Sequence, residues 1–473
     1  MVRLKEARFR YLGSGAEIFH GLNFSLMSGD RIVLTGGNGS GKSTLLHLIA
    51  GFLRPTSGEI EWSNMNLPIR FGLVQQQPEN QIIANTVEEE IAFGLENLGL
   101  PQKKIRDQVD RTLEQFGLTQ LRMRPPGRLS GGEMQRVVFA CAYALNPSLW
   151  LLDEPLTFLD PFERKRLMAL LELIPQEKAI LWATTEPEEY PFKHRLVALE
   201  EGELVEKTDK IDKTNKTNET NKTNKTNETN KINNTNKIRM KVEVEGISVC
   251  RKELFGNQRE ILHDLDFTLP GGEITVLLGE NASGKTTLIE ALAGLIPLTK
   301  GEVSWGDKSP DKLKGQIGVA FQFPERSFFS ETVLDEIMYG SLNLRRTKEE
   351  SRQNALQALK LMGLDPEIYF NRSPYELSGG EARRVALAAV WALQPLGYLL
   401  DEPTAGLDEM SCQYLKRMLK LESERGCVIL VAGHDTRHLL DWADRWMLLK
   451  NGRIEIQGGS ETAQSELRRL QWI

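Results

Sequence analysis

A surplus of positive charge is the first thing this chain lacks. Its 473 residues carry 59 Lys and Arg against 65 Asp and Glu, a formal net charge of −6. A protein built to coat nucleic acid needs a basic excess, so no nucleic-acid partner is expected. Cysteine is scarce as well. Cys141, Cys250, Cys412 and Cys427 are scattered, with no CxxC or metal-type spacing. Reduced core thiols fit that pattern better than a disulfide framework or a thiolate metal centre. No apolar run reaches the length of about 18 residues that a membrane-spanning helix needs. The opening residues, MVRLKEARFRYLG, hold no apolar segment of the secretory kind, so no leader is expected there. Service to a membrane would have to be that of a peripheral partner.

What the chain does have is repetition. RIVLTGGNGSGKSTLLHLIAG is answered by ITVLLGENASGKTTLIEALAG, RLSGGEMQRVVFACAYAL by ELSGGEARRVALAAVWAL, and LWLLDEPLTFLDP by GYLLDEPTAGLDE. The order is the same in both copies. The spacing from Ser130 to Asp153 and from Ser378 to Asp401 is 23 residues each time. Two homologous domains follow, expected at 1–206 and 240–473, and the length allows them. The intervening 207–239 is a Thr-Asn-Lys tract with almost nothing apolar, unable to offset its ordering entropy. As flexible coil, 32 residues of it would span about 30 Å. Its N-x-T triplets carry no glycosylation reading without a secretory leader.

The chemistry begins with Gly36-Gly37-Asn38-Gly39-Ser40-Gly41-Lys42-Ser43-Thr44 and Gly279-Glu280-Asn281-Ala282-Ser283-Gly284-Lys285-Thr286-Thr287. Both fit GxxxxGK[ST] between an apolar strand and a helical pattern, the context this phosphate-binding loop requires. Glycines let the backbone wrap phosphates, and N–H groups at the helix start form an anion nest. The lysine bridges terminal phosphate oxygens while Ser43 or Thr286 ligates Mg²⁺. Ala282 stands where the first copy has Gly39, a change expected to tune the loop. At the ends of two later apolar strands come Asp153-Glu154 and Asp401-Glu402. The aspartates suit the surroundings of Mg²⁺, and Glu154 and Glu402 can polarise an attacking water.

LSGGE, at Leu129–Glu133 and Leu377–Glu381, sits downstream of each phosphate loop and just before LLDEP. With these motifs the chain resembles the ATP-binding cassette (ABC) ATPases over both halves, nearly everything outside the tract. The resemblance implies an α/β fold of two P-loop NTPase domains. Each would be a RecA-like core with an antiparallel β subdomain and a helical signature subdomain. It also implies head-to-tail pairing, each ATP lying between one phosphate loop and the other domain's signature, Ser130 and Gly132 or Ser378 and Gly380. Gln76 and Gln322 then match the family's glutamine that touches Mg²⁺ and the water, and Asp160 and Asp408 close the D-loops. Tyr11 matches the aromatic that stacks on adenine; the second copy has Val249 to Arg251 there.

The segments FGLVQQQPENQIIANTVEEEIAFGLEN and IGVAFQFPERSFFSETVLDEIMYG are similar to those of energy-coupling-factor (ECF) importer ATPases. Thr86 and Thr332, each followed by acidic residues, read as helix N-caps. Arg326-Ser327 departs from the Asn80-Gln81 pair, so partner contact is expected to differ on that side. The ECF resemblance implies a transmembrane-coupling subunit and a substrate-binding membrane subunit, peripheral location on the cytoplasmic face, and a vitamin, vitamin precursor or metal ion as cargo. Sugar-type importers with fused ATPases remain an alternative. So do ribosome-associated ABC factors, although their linker should be helical and basic, which the Thr-Asn tract is not.

One position breaks the symmetry. ILVAGHD carries His434, matching the family's histidine at the γ-phosphate, whereas ILWATTE offers Thr185. Threonine can donate one hydrogen bond but cannot hold a positive charge. His20, His47 and His194 are poorly placed substitutes. The site combining Lys285, Thr286, Gln322, Asp401, Glu402 and His434 with Ser130 and Gly132 is expected to be competent. Its counterpart, with Lys42, Ser43, Gln76, Asp153, Glu154 and Thr185, should bind ATP but turn it over slowly, unless Glu154 suffices alone.

Overall fold

The computed structural model describes residues 2–11, 17–37, 39–62, 71–157, 159–185, 190, 194–207, 240–252, 258–434, 436–470 and 472. Asn38 and the tract from 208 to 239 lie outside the described residues. The first unit contains β1 (Val2–Phe9), β2 (Phe19–Leu26), β3 (Arg31–Thr35), β4 (Ser57–Trp62), β5 (Phe71–Val74), β6 (Leu149–Asp153), β7 (Ala179–Thr184), β8 (Arg195–Glu200) and β9 (Glu203–Lys207). The second repeats them as β10 (Lys241–Lys252), β11 (Gln258–Pro270), β12 (Ile274–Gly279), β13 (Lys300–Trp305), β14 (Ile317–Ala320), β15 (Gly397–Asp401), β16 (Val428–Gly433), β17 (Arg445–Lys450) and β18 (Arg453–Gly459).

Each unit holds one six-stranded sheet, ordered β5-β6-β7-β3-β8-β9 and β14-β15-β16-β12-β17-β18. All neighbours are parallel except the antiparallel edge pairs β8–β9 and β17–β18. The central strands LWLLD and AILWAT are buried at every position, as expected of parallel strands covered on both faces. Each unit adds a three-stranded antiparallel sheet, β2-β1-β4 and β11-β10-β13. In β1 burial alternates nearly residue by residue, the mark of a sheet with one wet face.

Helices supply the third layer. The phosphate-loop helices, Lys42–Ala50 and Lys285–Leu292, follow β3 and β12 directly. The signature helices, Gly131–Ala144 and Gly379–Ala392, lie across helices Val87–Asn97 and Val333–Asn343. Thr86 and Thr332 cap the latter pair, their hydroxyls accepting from Glu89 N at 3.2 Å and Asp335 N at 3.1 Å. Among the described residues no helix is long and apolar enough to cross a membrane.

Candidate functional site: two clefts between the units

The phosphate loops form where an apolar strand meets a helix whose first N–H groups are unpaired. Gly41 and Gly284, the helix N-caps, adopt φ of 102° and 109°, a left-handed conformation that side chains disfavour. Ala282 nevertheless takes φ 62°, so the second loop holds the same path as Gly39 (φ 79°) at a cost of about 1 kcal/mol. Lys42 Nζ donates to Gly36 O at 2.9 Å and Gly37 O at 3.2 Å. Lys285 Nζ donates to Gly279 O at 2.8 Å and Glu280 O at 3.1 Å. Among the described residues the buried hydroxyls Ser40 Oγ and Ser283 Oγ have no hydrogen-bond partner, which is costly unless a ligand supplies one. These cradles are shaped for phosphate oxygens.

Two clefts run between the units, each joining one phosphate loop to the other unit's signature. The first, about 660 Å³, takes Tyr11, Gly39, Gly41, Lys42, Ser43, Thr44, Gln76 and Glu154 from the first unit and Ser378, Gly379, Gly380 and Asp408 from the second. A Cβ on Gly39 would come within 3.8 Å of Ser378 Oγ. The second, about 540 Å³, takes Asn281, Ala282, Gly284, Lys285, Thr286, Thr287, Gln322, Asp401 and Glu402 together with Ser130 and Gly131. Gly132 is turned away from it: a Cβ there would meet Glu163 Cγ at 2.6 Å, so Gly131 stands on the wall where Gly132 was expected. Asp160 Oδ2 accepts from Asn281 N at 3.0 Å, carrying the first D-loop onto the second phosphate loop.

Ser130 and Ser378 already cap their own helices. Each serine accepts from the glutamate three residues on, and that glutamate's carboxylate accepts from the serine N–H at 2.8 Å, a reciprocal capping box. Tyr11 is 43% exposed, free to stack on a ring, and its hydroxyl lies 3.1 Å from Thr44 Oγ1. Arg251 borders the second cleft at the matching wall, bound to Glu290.

The strand-end carboxylates share a backbone and differ in company. Glu154 and Glu402 both adopt left-handed φ, 44° and 52°. Their N–H groups donate across the sheet to Ala183 O at 2.9 Å and Ala432 O at 2.8 Å, which fixes Thr185 and His434 as equivalent positions. His434 Nδ1 lies 2.9 Å from Glu402 Oε2, both side chains buried, close enough for an ion pair when the imidazole is protonated but poorly aligned for a hydrogen bond. Lys285 Nζ is 3.5 Å from the same carboxylate. Burial alone would push Glu402 up, but the charges of His434 and Lys285 hold it down at about 2. Glu154 has Lys42 at 3.6 Å and two neutral donors, Gln76 Nε2 at 3.1 Å and Thr157 Oγ1 at 3.3 Å. Burial prevails there and raises its pKa. Thr157 escaped the sequence reading, because its match in the second D-loop is Ala405. His434 itself stands on a small central cavity shared with Thr185 and Glu402, behind the second cleft and not on its wall.

The donor set fits Mg²⁺. Thr286 Oγ1 donates to Asp401 Oδ2 at 2.5 Å, and Ser43 bonds Asp153. Burial raises both aspartates, Asp401 to about 6, against the opposing pull of the hydroxyl and the lysine beside each. Among the described residues no three His, Cys, Asp or Glu side chains converge as a metal cage, so phosphate oxygens would complete the ion's coordination, as is usual for Mg²⁺.

Paired clefts of this kind define a tandem P-loop nucleotide triphosphatase. The chain belongs to the ABC transporter family, whose sequence model matches residues 19–157 and 262–405; it is an ATP-binding ATPase subunit of a transporter. A protein of Bifidobacterium longum named as an ABC transporter ATP-binding protein is 30% identical over 93% of this chain, which spans 64% of that relative's length. YkoD of Bacillus subtilis, named as an HMP/thiamine import ATP-binding protein, is 27% identical over 97% of this chain and 91% of its own. Among solved structures, cbiO1 from Clostridium perfringens, described as part of the ABC transporter complex cbiONQ, is 29% identical over 49% of this chain and 92% of its own, with a TM-score of 0.43.

Proposed function

We propose that this chain is the ATP-hydrolysing motor of an ECF-type importer for a vitamin, a vitamin precursor or a metal ion, with units at 1–206 and 240–473 joined by the 207–239 tether. The observation that carries the importer reading is the likeness to YkoD over nearly the whole of both chains. Paired exposed apolar side chains support a membrane partner. Ile83 (65% exposed) and Phe93 (43%) in the first unit are matched by Phe329 (56%) and Tyr339 (48%) in the second, each pair beside its glutamine loop. The departure at Arg326 has a structural correlate: its guanidinium reaches Glu79 of the first unit at 2.5 Å. Gln81, by contrast, folds back on its own loop, bonding Gln75 N and Leu73 O.

In the reaction we assign, Lys42 and Lys285 exchange their loop carbonyls for terminal phosphate oxygens, and Ser130 and Ser378 reach across to the opposite nucleotide. Mg²⁺ would be held by Ser43 or Thr286 with Gln76 or Gln322 and Asp153 or Asp401 nearby, and it supplies charge neutralisation on the phosphates. Glu402, kept ionised, orients the water and accepts its proton, with His434 fixing the carboxylate from behind. Glu154 keeps its lysine but has no imidazole behind it, so the first cleft is the slow one. Co-expression with ECF membrane subunits and measurement of labelled vitamin, precursor or metal uptake test the importer reading. Copurification and ATP-dependent uptake are expected; co-sedimentation with ribosomes and no membrane partner would overturn it.

A further inference from the structure

Arg383 lies one turn into the second signature helix, only 3% exposed, and two separate loops converge on its guanidinium. It donates to the carbonyl of Ala405 in the D-loop and, at 2.5 Å, to the carbonyl of Gln322 in the glutamine loop, and it pairs with Glu325 at 3.4 Å. Phe323 lies beneath it, 5.5 Å from the guanidinium carbon. The same ring carries Arg326 at 4.2 Å, and Arg326 is the residue that crosses to Glu79 of the first unit.

The two carbonyls belong to different ATP clefts. Gln322 borders the second cleft. Ala405, Gly406 and Asp408 border the first, and Arg383 itself stands on that wall beside Phe323 and Glu325 of the glutamine loop. A Cβ on Gly406 would sit 3.6 Å from Gln76 Nε2, and that amide donates to Glu154 at 3.1 Å. A rigid five-donor fork buried between both loops cannot follow one of them without straining its bonds to the other. The first unit has no such fork: Gln135 occupies the matching place and donates to Pro155 O at 3.1 Å.

We propose that Arg383 is a positioning residue that links the two ATP clefts, tying the glutamine loop at the second cleft to the D-loop at the first through the interior of the second unit. Linkage in binding is reciprocal, so occupancy of either cleft then changes affinity at the other by one factor. The proposal rests on the paired clefts and not on the membrane partner, so the fate of the importer reading leaves it untouched.

The test uses the full chain with Glu154→Gln and Glu402→Gln to suppress turnover. Photolabelling with azido-ATP, followed by cleavage within the tether, reports which unit is occupied. The affinity of the first cleft is compared with the second cleft intact or disabled by Lys285→Ala, and the reverse comparison uses Lys42→Ala. With Arg383 present, disabling one cleft should shift affinity at the other by about fivefold or more. Arg383→Gln should shrink the factor to below about twofold in both directions, with the affinity of the second cleft measured alone little changed. A linkage factor equal to the parent's would overturn the proposal, as would loss of affinity in both single-cleft forms, which would mark Arg383 as a structural brace. Should Arg383→Gln not fold, Arg383→Lys decides. It keeps the charge without the fork and should lower the factor; an unchanged factor sinks the link.

Discussion

At the scale of single residues, the difference between the two halves is what stands behind one glutamate. Glu402 has an imidazole at 2.9 Å and is held at about 2, whereas burial raises Glu154. A carboxylate held that low is the weaker base, so the advantage of Glu402 rests on the imidazole that holds it in place and not on its basicity. His434→Ala in the assembled transporter should therefore lower ATP turnover by about tenfold or more, while Glu154→Gln should cost less than about twofold if the first cleft adds little to the rate. Steady-state ATPase assays of the two variants check this, and equal losses would end the claim of uneven clefts. The converse change is a gain. Thr185→His, in a chain whose second cleft is silenced by Glu402→Gln, should raise residual turnover by about tenfold, since the strand register places position 185 where His434 stands. No gain would mean that more than a histidine is missing, Thr157 being the first suspect.

At the scale of elements, helix Val87–Asn97 shows how the chain fastens its helical layer. Its first-turn N–H groups donate to Arg124 O and Arg122 O at 3.2 and 3.0 Å, and Arg122 clasps Glu88 with two bonds of 2.8 and 2.6 Å while reaching Asp110 at 2.8 Å. The hydrogen bonds from Arg122 hold Glu88 below the usual carboxylate range. Its stabilisation is therefore complete above the unfolded pKa, near 4.5, and fades as pH falls towards and through the folded value. Both side chains are about one-third exposed, so Arg122→Ala should cost only about 1 kcal/mol near neutrality. The deficit should close as the pH drops below about 4. Urea melts at pH 7 and at mildly acid pH read both; a deficit that does not change with pH would mean the contact is not ionic. The helix start was legible, because Thr86 and the glutamates after it form a local signal. The clasp was not, since Arg122 lies 34 residues from Glu88. The same holds for the site. The phosphate loops, signatures and strand-end carboxylates are local strings whose chemistry can be read in order. Asp160 on Asn281 and Arg326 on Glu79 depend on how the units come together, and no short-range spacing encodes that.

At the scale of the whole molecule, the uneven pair differs from a half-dead one in a measurable way. Each phosphate loop keeps its lysine, its hydroxyls and an opposing signature serine, and nothing about Thr185 removes a group that grips the nucleotide. Both clefts should therefore bind, and binding to the folded state alone stabilises by mass action, by about 2.7 kcal/mol per cleft at a hundredfold excess over Kd. For units of this size that corresponds to about 5–10 °C in melting temperature. With hydrolysis suppressed by Glu402→Gln and Glu154→Gln, ATP and Mg²⁺ should raise the melting temperature of the full chain. Lys42→Ala and Lys285→Ala should each remove a comparable share of the rise, and chelation of Mg²⁺ should shrink both shares. A rise abolished by Lys285→Ala but indifferent to Lys42→Ala would show that the first cleft does not hold ATP. The substitution at Thr185 would then mark a lost site, and the slow-cleft reading would give way to a single-site motor.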